Sequence, residues 1–174
     1  MPKIDEMQLK KEIKSGDFKN AYLLYGEESY LKEYYANELK NKIVDKTFEA
    51  FNYHSFDGKD TELDDILKDA QMLPMMSEYN FVLVKDYPIE KSSNDIKLLE
   101  EYLSDAPDST VLVFWFDALD PDDKSAKFKK VIKAFEKAGN CVELQKRSEN
   151  DVAKLLVNGA KKRGALLDIN VAKY

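Results

Sequence analysis

The sequence predicts an α/β fold: a mostly parallel sheet with helices on both faces. Three observations predict it. Short apolar runs alternate with amphipathic helical stretches through about residue 145, the rhythm of β-α-β units. Two runs, Phe81-Val82-Leu83-Val84 and Val111-Leu112-Val113-Phe114-Trp115-Phe116, are apolar at every position. Strands buried on both faces of a parallel sheet have this pattern, because each successive side chain meets a different covering layer. Third, 44% of the 174 residues are hydrophobic and the charges are of mixed sign, enough to bury one medium-sized core.

The elements follow in order. Ile4, Met7, Leu9 and Ile13 space a helix that ends at Ser15-Gly16. Ala21–Tyr25 is a buried strand broken by Gly26, and Ser29 or Glu28 can cap what comes next. A long helix then runs from about Glu28 to Val44, with Leu31, Tyr35, Leu39 and Ile43 in one stripe. The aromatic alternation over residues 49–56 predicts a second strand, and Asp57-Gly58-Lys59-Asp60 a turn. Thr61 caps a helix through Gln71 that turns Leu63, Ile66 and Leu67 inward, and Leu73-Pro74-Met75-Met76 interrupts it. Asn80–Lys85 is a third strand, Asp95–Leu103 a helix and Thr110–Phe116 a fourth strand, followed by an acidic loop from Asp117 to Asp123. Ser125–Lys137 is an amphipathic helix closed by Gly139-Asn140, and Cys141–Leu144 a short fifth strand.

After Lys146-Arg147 the rhythm changes. Ser148 caps a helix with Asp151 in its first turn and Gly164 past its end, and Asp168 caps another. One helix and part of a second bury little. We expect an α/β domain over residues 1–147 and, over 148–174, the start of a helical domain that these residues do not complete.

Charge and composition exclude several classes. The net charge is −6; residues 148–174 hold five bases and three acids, a net of +2, so the first 147 residues carry −8. An acidic body is a poor sheath for nucleic-acid phosphates. With only Arg147 and Arg163, bidentate phosphate recognition has few candidates. One cysteine, Cys141, excludes an internal disulfide, and one histidine, His54, excludes a histidine-cluster zinc site. No run approaches the ~18 apolar residues of a membrane span. The N-terminus has no apolar signal core. A soluble cytoplasmic protein is expected.

The glycine turn at Gly26 is where α/β proteins hold phosphate, since free N–H groups and the helix dipole meet there. Its chemistry is wrong for that task. A phosphate loop of the G-x-x-x-x-G-K-[ST] type needs more glycine and a lysine, and here Glu27 and Glu28 stand at the mouth. An ordinary strand-to-helix turn fits better. Lys85 occupies the place at the end of the third strand where a metal-binding carboxylate would stand, and Asp117, Asp120, Asp122 and Asp123 read as a solvated loop. No catalytic, metal or cofactor residue is assigned. His54 has no catalytic serine or thiol nearby in sequence, and Cys141 and Trp115 read as core. The segment from Met72 to Met76 differs. Proline stops the helix, and leucine with methionines is unlike the usual Gly/Asn/Ser of a solvated loop. These side chains either fold back into the core or form a partner site.

The order of these features resembles the delta subunit of the bacterial DNA polymerase III clamp loader. The resemblance rests on Tyr22-Leu23-Leu24-Tyr25-Gly26-Glu27-Glu28-Ser29-Tyr30-Leu31, on Phe56-Asp57-Gly58, and on Leu73-Pro74-Met75-Met76-Ser77 leading into Phe81-Val82-Leu83-Val84. A helix from Leu99 to the Pro107 turn, an apolar strand and a lysine-rich helix before a short strand complete it. Order and spacing across nearly the whole chain carry the match; no single motif does. The resemblance implies an AAA+-like (P-loop NTPase-like) parallel sheet that neither binds nor hydrolyses ATP and uses no cofactor, followed by the start of a helical lid. It implies that Leu73, Pro74, Met75 and Met76 wedge into a pocket on the ring-shaped sliding clamp (beta) and help to open it. It implies other clamp-loader subunits as partners, reached through further C-terminal regions, contact with DNA only through the assembled complex, and a monomer for these residues alone. The family acts within the DNA polymerase III holoenzyme, a DNA-directed DNA polymerase and so a nucleotidyltransferase. Glu78-Tyr79-Asn80 departs from the family in lacking a basic residue before the strand. Two alternatives stay open on the residues alone: a small nucleotide-dependent α/β enzyme with a non-standard loop at Gly26, and a switch using acids at strand ends.

Overall fold

The computed structural model describes residues 3–173. Six strands form one sheet: β1 Lys3–Ile4, β2 Ala21–Tyr25, β3 Tyr53–Asp57, β4 Asn80–Lys85, β5 Thr110–Trp115 and β6 Gly139–Glu143. Their order is β1-β6-β2-β5-β4-β3, and every pairing is parallel. The helices between them are α1 Glu6–Ser15, α2 Ser29–Ile43, α3 Glu49–Asn52, α4 Leu63–Ala70, α5 Ser93–Ser104 and α6 Ala126–Ala138.

The alternation of side chains along a strand divides the core in two. Leu23, Val82, Val84, Leu112 and Phe114 face a layer built with α4, α5 and α6. Tyr22, Leu24, Phe81, Val111 and Val113 face a layer built with α1 and α2. β2 is buried at all five positions and β5 at all six, as central strands covered on both faces must be. The expected α/β architecture with helices on both faces is therefore the observed one.

Local expectations fare unevenly. Residues 49–52, expected as the start of a strand, form a helical turn, and the strand begins at Tyr53. Phe48 accepts backbone bonds from Phe51 and Asn52, which closes that turn before the chain reaches the sheet. Gly139 and Asn140 belong to β6, opposite Ala21 and Tyr22, rather than to a helix end. Ile4, expected in the first helix, instead pairs with Val142 in a two-residue edge strand beside β6, and α1 begins at Glu6. Thr61 does not cap α4; its hydroxyl donates to the Asp57 carbonyl, and Glu62 stands at the cap without a side-chain bond. Glu28 is the N-cap position of α2, again without a side-chain cap bond. Ser92 and Ser125 do cap α5 and α6, accepting from Asp95 and Phe128.

The chain divides at Leu144/Gln145 into two compact units. In the second, Ser148 caps α7 (Glu149–Lys162), accepting from the Asp151 amide. Gly164, at φ 76°, follows the end of α7, and the Ala165 amide returns to the Ala160 carbonyl. The helix expected from Asp168 is a single 3-10 turn, Val171–Lys173; Tyr174 lies outside the described residues. Among the described residues no helix is long and apolar enough to cross a membrane.

Candidate functional site: the loop after α4

α4 stops where the sequence says it must. Pro74 has no N–H to donate, and the last turn closes with the amides of Gln71 and Met72 returning to Leu67 and Asp69. The chain then makes an irregular loop to Ser77 before entering β4. Leu73 and Met76 are 82% and 78% exposed, Met72 and Met75 about half, and Pro74 is half-buried. Of the two alternatives for these side chains, folding back into the core is excluded. Leaving three or four large apolar groups in water stabilises nothing in the isolated chain.

What holds the loop is polar and buried. Asn52, the last residue of α3, is 1% exposed. Its Oδ1 accepts from the Met75 amide at 2.6 Å, and its Nδ2 donates to the Met75 carbonyl at 2.9 Å and to Ser77 Oγ at 3.0 Å. Asn80, the first residue of β4, donates to the carbonyls of Asp69 and Met72 at 2.8 and 3.3 Å. The Tyr102 hydroxyl, from α5, donates to the Ala70 carbonyl. Met76 sits at φ 54°, a left-handed conformation that a residue with a β-carbon seldom adopts. Neither asparagine carries a sequence signal: Asn52 lies 23 residues from Met75, and only the β3–β4 pairing brings α3 beside the loop.

The glycine turn at the other candidate site has a structural explanation. Gly26 has φ 108°, and a β-carbon there would lie 2.6 Å from the Leu144 carbonyl oxygen. That oxygen accepts from the Glu28 amide, and the Leu144 amide donates to Tyr25. The donors that would face a phosphate are thus partly spent on stitching β6 to β2. Lys32, from the first turns of α2, is 3% exposed and donates to the Gly26 carbonyl at 2.7 Å. Burial lowers its pKa, while Asp120, Asp117 and Asp86 act in the opposite sense.

Two acids past the strand ends, Asp117 and Asp86, are partnered. Asp117 pairs with Lys85 at 2.8 Å. Asp86, 1% exposed at φ 52°, accepts from the amides of Asp117, Ala118 and Leu119 at 2.7–3.1 Å. Burial alone would raise this carboxyl, but the three amides outweigh it and hold its pKa below the usual value. Asp86 directly follows Lys85, the last residue of β4. Its role as a staple between β4 and the loop after β5 depends on strands paired in space. His54 Nδ1 lies 3.1 Å from an Asp69 carboxylate oxygen. Cys141 is buried, with its thiol pushed up by that burial, and Trp115 is core.

With this geometry in hand, the chain compares as follows. Its sheet is AAA+-like, matching a Thermotoga maritima RuvB structure with a TM-score of 0.56 at 13% identity over 96% of this chain and 52% of that one. A DNA polymerase III gamma subunit-related protein of the same organism matches with a TM-score of 0.56 at 18% identity, over 95% and 56%. The structure of the Bacillus subtilis DNA clamp loader delta protein matches with a TM-score of 0.71 at 25% identity, over 96% of this chain and 50% of that one. The Bacillus subtilis (strain 168) DNA polymerase III subunit delta is 28% identical over 171 residues, 94% of this chain and 48% of that protein. The chain thus spans about half the length of the relatives it matches. The family model for the DNA polymerase III delta subunit matches residues 22–145, from the first buried central strand to the end of the sheet. On that match, with the fold in agreement, the chain belongs to the DNA polymerase III delta subunit family.

Proposed function

We propose that this chain is a non-catalytic part of a replicative clamp loader, which binds the sliding clamp through Leu73, Pro74, Met75 and Met76 and helps to open the ring. One observation carries the reading: apolar side chains stay in water on a loop whose backbone is anchored by buried asparagines. A rigid backbone presenting Leu and Met suits insertion into an apolar pocket, since little ordering is left to be done on binding. Burying Leu73, Met75 and Met76 would contribute roughly 1.5–3 kcal/mol each before those costs. A protein opens a ring without chemistry when it binds the open form more tightly, and it shifts the equilibrium by that difference alone.

In this reading ATP hydrolysis belongs to partner subunits, which the longer relatives would join through regions beyond the match. DNA is met only in the assembled complex, in keeping with the −8 charge of the first 147 residues. Residues 148–174 begin a helical lid. The polymerase chemistry belongs to the holoenzyme, the setting is cytoplasmic, and the isolated chain is a monomer without cofactor.

Surface plasmon resonance on immobilised clamp tests the wedge. Leu73→Ala and Met75→Ala should each weaken binding about tenfold, the equivalent of about 1.4 kcal/mol, and the double variant more. Unchanged binding in both variants removes the proposed wedge. A second measurement separates this function from a nucleotide-dependent enzyme. Calorimetric titration with Mg-ATP should give no micromolar binding, because Lys32 and Leu144 engage the backbone of the glycine turn and two glutamates flank it. Micromolar binding would favour the enzyme.

A further inference from the structure

We infer that Asn52 is the positioning residue of the clamp-binding loop: its buried carboxamide holds the Met75 backbone in the shape that leaves Leu73, Met75 and Met76 available to a partner. The inference rests on the functional reading above and adds a residue outside the loop to it.

The geometry is specific. One side-chain amide meets both backbone groups of Met75, accepting from its N–H at 2.6 Å and donating to its carbonyl at 2.9 Å. This is the exchange a neighbouring strand would make, supplied here by a side chain. It also fixes which end of the amide is which, because an N–H needs an acceptor and a carbonyl a donor. Asn52 Nδ2 reaches Ser77 Oγ and the Phe48 carbonyl as well, at 3.0 and 3.2 Å, so the same group ties the loop to the turn at α3. Asn52 is 1% exposed, and water does not compete for these bonds.

The loop needs such a clasp. Met76 at φ 54° is in a conformation that its own sequence disfavours, and such residues persist only where surroundings over-determine them. Pro74 removes one donor, and Leu73 and Met76 are largely exposed, so burial does little to fix them. Asn80 fixes the loop's entrance through Asp69 and Met72. Between Met72 and Ser77, Asn52 holds the backbone on both sides of the Met75 α-carbon. Without it, the loop samples other shapes, and binding must first reorder them.

The test uses the 174-residue chain and purified sliding clamp. Asn52→Ala should weaken clamp binding about tenfold, as loss of a preorganised loop does, and should speed hydrogen exchange at the Met75 amide without clamp present. Val131→Ala, a buried position on α6 away from the loop, serves as the comparison for stability loss; it should leave both readouts near wild type. Asn52→Asp separates positioning from packing. At pH 7.5 its carboxylate accepts from Met75 N–H but cannot donate to the Met75 carbonyl, so binding weakens. Towards pH 5 the buried acid gains a proton it can donate, and the affinity relative to wild type should recover. Equal clamp affinity in Asn52→Ala and wild type, while Leu73→Ala binds weakly, overturns the positioning role and leaves the wedge. A wild-type chain that binds no clamp overturns the functional reading itself. Unchanged exchange at Met75 in Asn52→Ala overturns the clasp whatever the clamp does.

Discussion

Gly26→Ala should destabilise the α/β unit by at least about 3 kcal/mol. Two costs combine. At φ 108° any residue with a β-carbon is strained, by roughly 1–3 kcal/mol. The added carbon would also lie 2.6 Å from the Leu144 oxygen, 2.9 Å from its nitrogen and 3.0 Å from its carbonyl carbon. Those atoms are backbone and cannot rotate aside. Leu144 uses the same nitrogen and oxygen to bond Tyr25 and Glu28, so any retreat breaks the closure of β6 on β2. A chain of this size loses roughly 2–4 °C of melting temperature per kcal/mol. A drop of 6 °C or more is therefore expected in thermal unfolding. If the variant melts within 2 °C of wild type, the turn is not held by the contact described here. The prediction bears on function too. It makes the glycine a packing requirement, set by the Leu144 backbone rather than by phosphate.

Asp86→Ala should cost about 2–3 kcal/mol. The carboxylate satisfies three backbone amides at the loop after β5. An unpaired buried donor costs roughly 1–3 kcal/mol. Residues 117 and 118 are themselves exposed, so water can recover part of the loss. That exposure puts the expected figure at or just below the bottom of the summed range. Asp86→Asn keeps one acceptor oxygen and should lose about half as much. The pH dependence has a definite sign. The amides hold the folded-state pKa of Asp86 below its ordinary value of 3.8. Its contribution is thus complete above the unfolded-state pKa, and it is lost as pH falls through the folded-state value. Acid unfolding followed by circular dichroism should show a shallower dependence below pH 4 in Asp86→Asn than in wild type. Parallel curves for the two proteins would mean that Asp86 is not the titrating staple.

Much of the fold is legible in the residues themselves. Phe81–Val84 and Val111–Phe116 are apolar without interruption, and both prove to be central strands buried on two faces. Ser125 and Ser148 stand at helix starts and do cap them, whereas α5 begins at Ser93, before the expected Asp95, with Ser92 as its cap. These features are local: burial period, capping oxygen and helix breaker lie within a few residues of the element they define. The candidate loop is half legible. Proline after an amphipathic helix marks the break, and leucine with methionines marks it as unusual. Whether those side chains turn inward is not encoded there, because it depends on the space left by α3, β4 and α5.

The sequence by itself determined the α/β class and the helix-to-loop break at Pro74, since each follows from local composition and spacing. Only the tertiary structure decided that Leu73 and Met76 stay in water, that Asn52 reaches across 23 residues to hold Met75, and that Asp86 staples two strand ends. It also decided that Lys32 lies against Gly26 and that Lys3-Ile4 joins the sheet. The physical reason is the same in each case. These contacts join groups far apart in sequence, and they form only once parallel strand pairing has placed their elements side by side.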